Sequence, residues 1–362
     1  MLDRGFWNKK KVFLTGHTGF KGGWLATWLV EMGAQVAGYA LKPDTEPSFF
    51  ALSGLDERMH SVIGDVREKE NVRRAMQAHQ PEIVFHLAAQ SLVRRSYRMP
   101  VDTIATNVMG TVHVLEAVRR IQSVRAAVIV TSDKCYENRD QLQGYREDEP
   151  MGGHDPYSSS KGCAELVTAA YRRSFLESAD RPVGVATVRA GNVIGGGDWA
   201  EDRLVPDAIR ALQHGKSLVV RNPGAVRPWQ HVLEPLAGYL MLAERLSRES
   251  GKWAGAWNFG PRDEDAVAVS ALAEQIIRLW GEGAWQAAPE QDAPHEARYL
   301  KLDCSKARKL LGWRPRLTLE DAVDMTVAWY RLALSSSLDQ GMHEMTGEQI
   351  RSYEARMRGV PR

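Results

Sequence analysis

From Lys11 to Arg189, short apolar runs rich in β-branched residues alternate with longer stretches whose apolar positions return every three or four residues. The runs VFLT at 12–15, VAGY at 36–39, IVFHLA at 83–88, AVIVTS at 127–132 and VGVATVR at 183–189 predict strands, and a further strand closes in SVIGDV at 61–66. The helical stretches fall at 20–32, 68–79, 101–120 and 156–178, the first stopped by Gly33 and the second by Pro81. Strands separated by helices of this length imply βαβ units, which put the chain in the α/β class with a parallel sheet.

The spacing fits a doubly wound, Rossmann-type sheet, in which ligands bind beyond the carboxyl ends of the strands. After Arg189 the alternation gives way to GNVIGGGDW, a helical stretch at 204–214, a strand at 218–221 and the turn-rich NPGAVRPWQH. The last firm element is a helix over 318–334, opened by a capping-box pattern of Thr318 and Asp321. The expected organisation is therefore a dinucleotide-binding domain over 1–189, to which 226–260 returns, and a smaller, mixed substrate lobe from 190–225 and 261–334. Residues 335–362 are polar and weakly patterned, and are expected to form a loosely packed tail.

At 362 residues, 44% hydrophobic and 25% charged, the chain is long enough for one large domain and a smaller companion. A formal charge of +2 without a basic stripe gives no electrostatic reason to expect nucleic acid or a membrane as partner, and leaves room for a small anionic ligand in a local basic pocket. Cys135, Cys163 and Cys304 are too few and too scattered for a disulfide framework or a Cys-rich zinc site, and no metal is expected. The opening MLDRGFWNKKKVFLTG has no long apolar region, and no run of about 18 apolar residues occurs anywhere, so the expected location is the cytoplasm.

TGHTGFKGG at 15–23 joins the first strand to the first helix, with Gly16, Gly19 and Gly22 three apart and Thr18 and Phe20 between them. Missing side chains let a pyrophosphate approach the backbone, and the helix N-terminus offers amides and partial positive charge. The second strand ends in YALKPD, placing Lys42 where an acid for the adenosine ribose is usual. Asp44 moving in suits NAD, while Lys42 facing a 2′-phosphate suits NADP, so the choice stays open. Asp65 and Val66 end the third strand, where the adenine is expected.

DPYSSSKGCAE opens the fourth helix and sets Tyr157 and Lys161 four residues apart, on one face. A phenol acting as a base near neutrality needs its anion stabilised by roughly 4 kcal/mol. A lysine ammonium one turn away, with a positive nicotinamide ring, supplies it.

Together TGHTGFKG, HLAAQ, the TSD strand end, YSSSK and KARKLLGWRP resemble the extended short-chain dehydrogenase/reductase family, over about residues 10–332. The resemblance implies NAD(P) in the first lobe and a sugar nucleotide in the second. It makes Tyr157 the base, puts Lys161 on the nicotinamide ribose, makes Ser132 their hydroxyl partner, and sets Ala88, Ala89 and Asn107 beside the cofactor. It also implies a homodimer, or a dimer of dimers, through the helices near 101–120 and 156–178.

VTSDKCYEN at 130–138 then separates branches of that family. Epimerases need only the tyrosine and the hydroxyl, whereas 4,6-dehydratases carry an acid-base pair after it, because loss of water across C5 and C6 needs two more proton transfers. Here the pair is Asp133 and Lys134, with lysine in the place of the usual glutamate. That departure resembles the branch acting on CDP-glucose, as do GNVIGGGDWAEDRLVPD, RPWQHVLEP and HEARYLKLD. In that role Asp133 must be protonated and Lys134 neutral. Arg203 and Arg227 are expected on the substrate phosphates, and Asn192, His295 and Arg298 lie in segments that by resemblance reach the phosphates and base. Tyr136 is expected beside the sugar, Cys135 as a small filler, and Trp199 and Trp229 in core packing.

Overall fold

The computed structural model describes residues 2–178, 180–288, 300–335 and 341–359. Its centre is a seven-stranded sheet of β1 (Lys11–Thr15), β2 (Gln35–Ala40), β3 (His60–Ile63), β4 (Ile83–His86), β5 (Ala126–Val130), β6 (Gly184–Arg189) and β7 (Gly255–Asn258). All neighbours pair in parallel, in the order β7-β6-β5-β4-β1-β2-β3. The order reverses between β1 and β4, which opens a crevice at their carboxyl ends.

The continuous apolar runs follow from burial on both faces. Val12 and Leu14 of β1, Phe85 of β4 and Val128 of β5 face one core with Trp24, Trp28 and Leu236. Phe13, Val84 and Ile129 face the other, with Met76, Val114 and Val118. The predicted helices stand at Phe20–Glu31, Lys69–His79, Gly110–Arg120 and Pro156–Tyr171. The stretch 101–120 is not one regular helix: it runs as Pro100–Ile104, a wide π-type turn over Ala105–Met109, and then Gly110–Arg120. Thr111 donates back to the Asn107 carbonyl there at 2.7 Å.

Past β6 the chain forms three short ladders. Val193–Ile194 pairs with Gln230–His231, Val226–Pro228 with Ala266–Ala268, and Leu218–Val220 with Trp285–Ala287. The helices Leu204–Gln213 and Val269–Trp280 back them, and the helix Leu233–Arg248 leads into β7 at the edge of the main sheet. Leu319–Ala333 begins with the complete Thr318–Asp321 capping box.

The loosely packed tail is corrected. Gly341–Met357 is a helix with Ile350 and Tyr353 fully buried. Tyr353 Oη donates to Glu234 Oε2 at 2.6 Å, Trp28 Nε1 donates to Glu354 Oε1 at 2.8 Å, and Arg356 forks onto Asp321 at 2.8 Å. Its inward face mixes apolar residues with polar ones that meet polar partners, a pattern that apolar periodicity does not register. Among the described residues, no helix is long and apolar enough to cross a membrane.

Candidate active site

The strand ends and the second lobe enclose a cleft of about 800 Å³. Gly16, Thr18, Gly19, Phe20 and Gly22 form its floor, and Lys42, Asp65, Val66, Ala88 and Ala89 its rim. Gly16 has φ +80, and a Cβ on it would stand 2.7 Å from Ala88 N. A Cβ on Gly22 would stand 2.0 Å from Gly16 O, so the turn closes only without side chains. Gly19 makes no side-chain cap to the helix behind it, which leaves its first amides for an anion. This donor set fits a dinucleotide pyrophosphate.

At the second strand, Lys42 and Asp44 both line the cleft, and Asp44 is paired with Arg95 at 2.6 Å. Asp65 is gripped by Arg67 at 2.7 Å, whose hydrogen bonds and charge hold the carboxyl below the usual range against the opposing effect of burial. Asn107 does not line the cleft. Its side chain bonds both backbone groups of Gln90 and the Ser160 hydroxyl, so it braces the loop after β4 from beneath.

β5 delivers the chemical centre. Ser132 caps a short 3-10 turn over Asp133–Cys135: its hydroxyl accepts from Lys134 N at 3.2 Å and donates to Asp133 Oδ1 at 2.9 Å. Asp133 rests against Gly191, where no Cβ fits. Lys134 is half-buried and faces the cleft. Opposite, the helix Pro156–Tyr171 starts at the Asp155 cap and presents Tyr157 and Lys161 together, with Lys161 Nζ donating to Val130 O at 3.2 Å.

Burial pushes the Tyr157 phenol up to about 12; Asp133 and Asp155 add to that, while a hydrogen bond from Ser132 and the charge of Arg203 oppose it. Burial pushes Lys161 down to about 8, which leaves most of it charged at neutral pH. Ionising the phenol near pH 7 therefore requires about 7 kcal/mol, more than its ordinary value suggests.

A buried ion pair underlies this centre. Glu165, one turn beyond Lys161, receives Arg189 at 2.8 Å and the hydroxyls of Thr131 and Thr187, which fixes the ends of β5 and β6 together. Tyr136 is corrected: it is buried behind the site, stacked on Tyr145 and bonded to Arg189 and Asn258. Cys135 is fully buried, its thiol raised well above the ordinary range by burial, as suits a filler.

Of the expected substrate residues, Asn192, Arg203 and Arg227 line the cleft, whereas His295 and Arg298 lie outside the described residues. Arg203 is held by Asp198 at 2.7 Å and Ser91 at 2.9 Å. Trp199 is core, packed edge-on to Tyr330, whereas Trp229 also reaches the cleft. Lys21 was missed. It lines the cleft from the glycine loop, pushed down to about 8 by burial and by Arg203 and Lys161, with Asp133 and Asp198 opposing. A cation inside a loop of small residues was its only signal.

Residues 13–326 match the model of the family described as GDP-mannose 4,6 dehydratase. A CDP-glucose 4,6-dehydratase of Salmonella typhimurium is 54% identical over 334 residues, covering 91% of this chain and 93% of that protein. A dTDP-glucose 4,6-dehydratase of Xanthomonas campestris is 30% identical, covering 88% and 92%. Among solved structures, the dTDP-glucose 4,6-dehydratase of Bacillus anthracis in complex with NAD superposes with a TM-score of 0.73 at 21% identity, covering 89% of this chain and 96% of that one. The UDP-glucose 4-epimerase of Thermotoga maritima with UDP-glucose reaches 0.75 at 23%, covering 90% and 99%. With a family match across most of its length and the fold to go with it, the chain belongs to the GDP-mannose 4,6 dehydratase family of extended short-chain dehydrogenase/reductases.

Proposed function

We propose that the protein converts CDP-glucose to CDP-4-keto-6-deoxyglucose, a hydro-lyase reaction that feeds deoxysugar biosynthesis. The observation that carries this reading is that Asp133 and Lys134 face the same cleft as Tyr157 and Lys161, with the Ser132 hydroxyl donating to Asp133 Oδ1 at 2.9 Å. An epimerase has no use for that pair.

NAD is the proposed cofactor, its pyrophosphate on Gly16, Gly19 and Gly22, its adenosine toward Lys42, Asp65 and Val66, and its nicotinamide end toward Ala88, Ala89 and Lys161. When bound, it supplies a hydride acceptor for C4 and the donor for C6. Tyr157 takes the C4 hydroxyl proton, and Lys161 and Arg203 stabilise the phenolate. Lys134 takes the C5 proton made acidic by the C4 ketone, and Asp133 protonates the departing C6 hydroxyl. Asn192, Arg203 and Arg227 are the proposed holders of the nucleotide diphosphate. Two copies are proposed to pair through the helices near 101–120 and 156–178, where Val101, Met109, Leu166 and Phe175 remain exposed.

The test is incubation with CDP-glucose and separately with UDP-, dTDP- and GDP-glucose, followed by mass and proton spectra of the products. Loss of one water and a new C6 methyl with the cytidine substrate is expected. Inversion at C4 without loss of water overturns the reading.

A further inference from the structure

We propose that the small cavity behind Asp133 is a one-water site, in which Gln230 Oε1 and the Asp133 carboxyl share a bound water, so that Gln230 acts as the positioning residue of the acid. The proposal deepens the dehydratase reading above and rests on it for the role of Asp133.

Asp133 separates two spaces. It lines the reaction cleft, and it also lines a second cavity of about 10 Å³, walled by Gly191, Gln230, Gly260, Arg262, Lys301 and Leu302. That volume takes the centre of one water and not of two. Gly191 belongs to both walls, and the Asp133 carboxyl packs against its α-carbon with Oδ2 nearest. The Ser132 hydroxyl donates to Oδ1 at 2.9 Å, which leaves Oδ2 for a partner on the cavity side.

Gln230 meets it there with a lone acceptor. The residue is 3% exposed, and Nε2 gives its two hydrogens to Gly191 O at 3.2 Å and Phe259 O at 3.0 Å. Turning the amide over would press its oxygen against those two carbonyls, so its orientation is fixed. Oε1 is buried with no hydrogen-bond partner among the described residues. Leaving a buried acceptor unmet is costly, and native structures meet such groups with protein or ordered water. With both amide hydrogens committed, the oxygen is the polar atom Gln230 has left for the cavity.

The far wall supplies no competing charge. Arg262 is bound by Asp265 at 3.0 Å and Lys301 by Asp263 at 2.7 Å. A lysine or arginine turned on Asp133 would hold it ionised, against the need of a general acid for its proton. A water donates to an ionised carboxyl and accepts from a protonated one. It therefore serves Asp133 before and after the proton leaves, while one hydrogen stays on Gln230 Oε1. Oxidation at C4 engages Tyr157 and Lys161 and does not call on Asp133, so the water bears on the elimination step alone.

Two measurements on the holoenzyme test the site. In a crystal structure of the NAD-bound wild type, one ordered water is expected within hydrogen-bond distance of both Gln230 Oε1 and the Asp133 carboxyl; a dry cavity would overturn the proposal. Gly260→Ala adds a methyl group to the cavity wall, 3.3 Å from Cys304 Sγ and 3.5 Å from Leu302 Cβ, where it takes the room of the water. Mixed with CDP-glucose, this variant should reduce its bound NAD within about threefold of the wild-type rate but dehydrate about tenfold or more slowly, with KM little changed. Reduced cofactor should then accumulate. Slowing of both steps by one common factor, or wild-type dehydration from a variant whose own crystal structure lacks the water, would also overturn the proposal. Should Gly260→Ala fail to fold, the wild-type density decides. No dehydrated product from wild type would overturn the functional reading and leave the water site to the diffraction result.

Discussion

Replacing Gly191 by alanine puts a methyl group where Asp133 sits. The added Cβ would lie 1.8 Å from Asp133 Oδ2, 2.2 Å from Cγ and 2.6 Å from Oδ1, against about 3.5 Å for an ordinary contact. The backbone has little room to yield: Gln230 Nε2 holds Gly191 O at 3.2 Å, Gln230 N holds Asn192 O at 3.1 Å, and Phe259 N holds Arg189 O at 2.9 Å. The carboxyl must therefore swing away by more than about 1 Å and leave the Ser132 hydroxyl. Misplacement on that scale costs about 10²-fold, and loss of a general acid about 10²- to 10⁴-fold. The expected outcome is a kcat for CDP-glucose dehydration down by about 10²- to 10³-fold with KM little changed, measured beside circular dichroism and a melting curve that show the fold intact. In an Asp133→Asn background the same change should add almost nothing, because the two act through one group. A folded Gly191→Ala enzyme with kcat within about threefold of wild type would refute the placement of Asp133 as the acid.

Other consequences can be checked separately. Lys134→Met should leave NAD binding intact and stop elimination; dehydration at near wild-type rate would remove Lys134 as the base. Glu165→Gln should destabilise the protein by about 3–5 kcal/mol in denaturant titration, since it strands the Arg189 guanidinium among buried groups. Glu234 and Glu244 are both pushed up to about 7 by burial, from an ordinary 4.5. Their ionised forms are thus disfavoured in the folded chain relative to the unfolded one, so stability should fall as pH rises from about 4.5 to 7 and level off above, by up to roughly 3 kcal/mol per group. Denaturation midpoints across that range should show the slope, and Glu244→Gln should remove about half of it, leaving the share of Glu234.

The main sheet was legible because its strands are buried on both faces and so appear as unbroken apolar runs, with Gly33 and Pro81 marking the turns. The site was legible where chemistry requires a fixed spacing, as for Gly16, Gly19 and Gly22, or for Tyr157 and Lys161. Tyr136 was misplaced because a residue one step from the acid-base pair can turn to either side of a 3-10 turn, and only the buried Arg189 decides which. Asn107 was set beside the cofactor by resemblance alone, and its amide spans Gln90 and Ser160 beneath the cleft. Gly191 gave no signal, since its importance lies in a side chain 58 positions earlier in the chain. The helix Gly341–Met357 was lost because its buried face mixes apolar Met342 and Ile350 with hydrogen-bonding Thr346, Gln349, Tyr353 and Glu354, which breaks the apolar period.

The central claim is that this cleft removes water from a sugar by taking a proton from C5 and returning one there. Turnover of CDP-glucose in heavy water, with the product read by proton NMR, tests it most directly. A 4-keto-6-deoxy product carrying deuterium at C5 is expected, because the lysine that takes the proton exchanges with solvent. A product inverted at C4, with C6 still hydroxylated and no deuterium at C5, would contradict it.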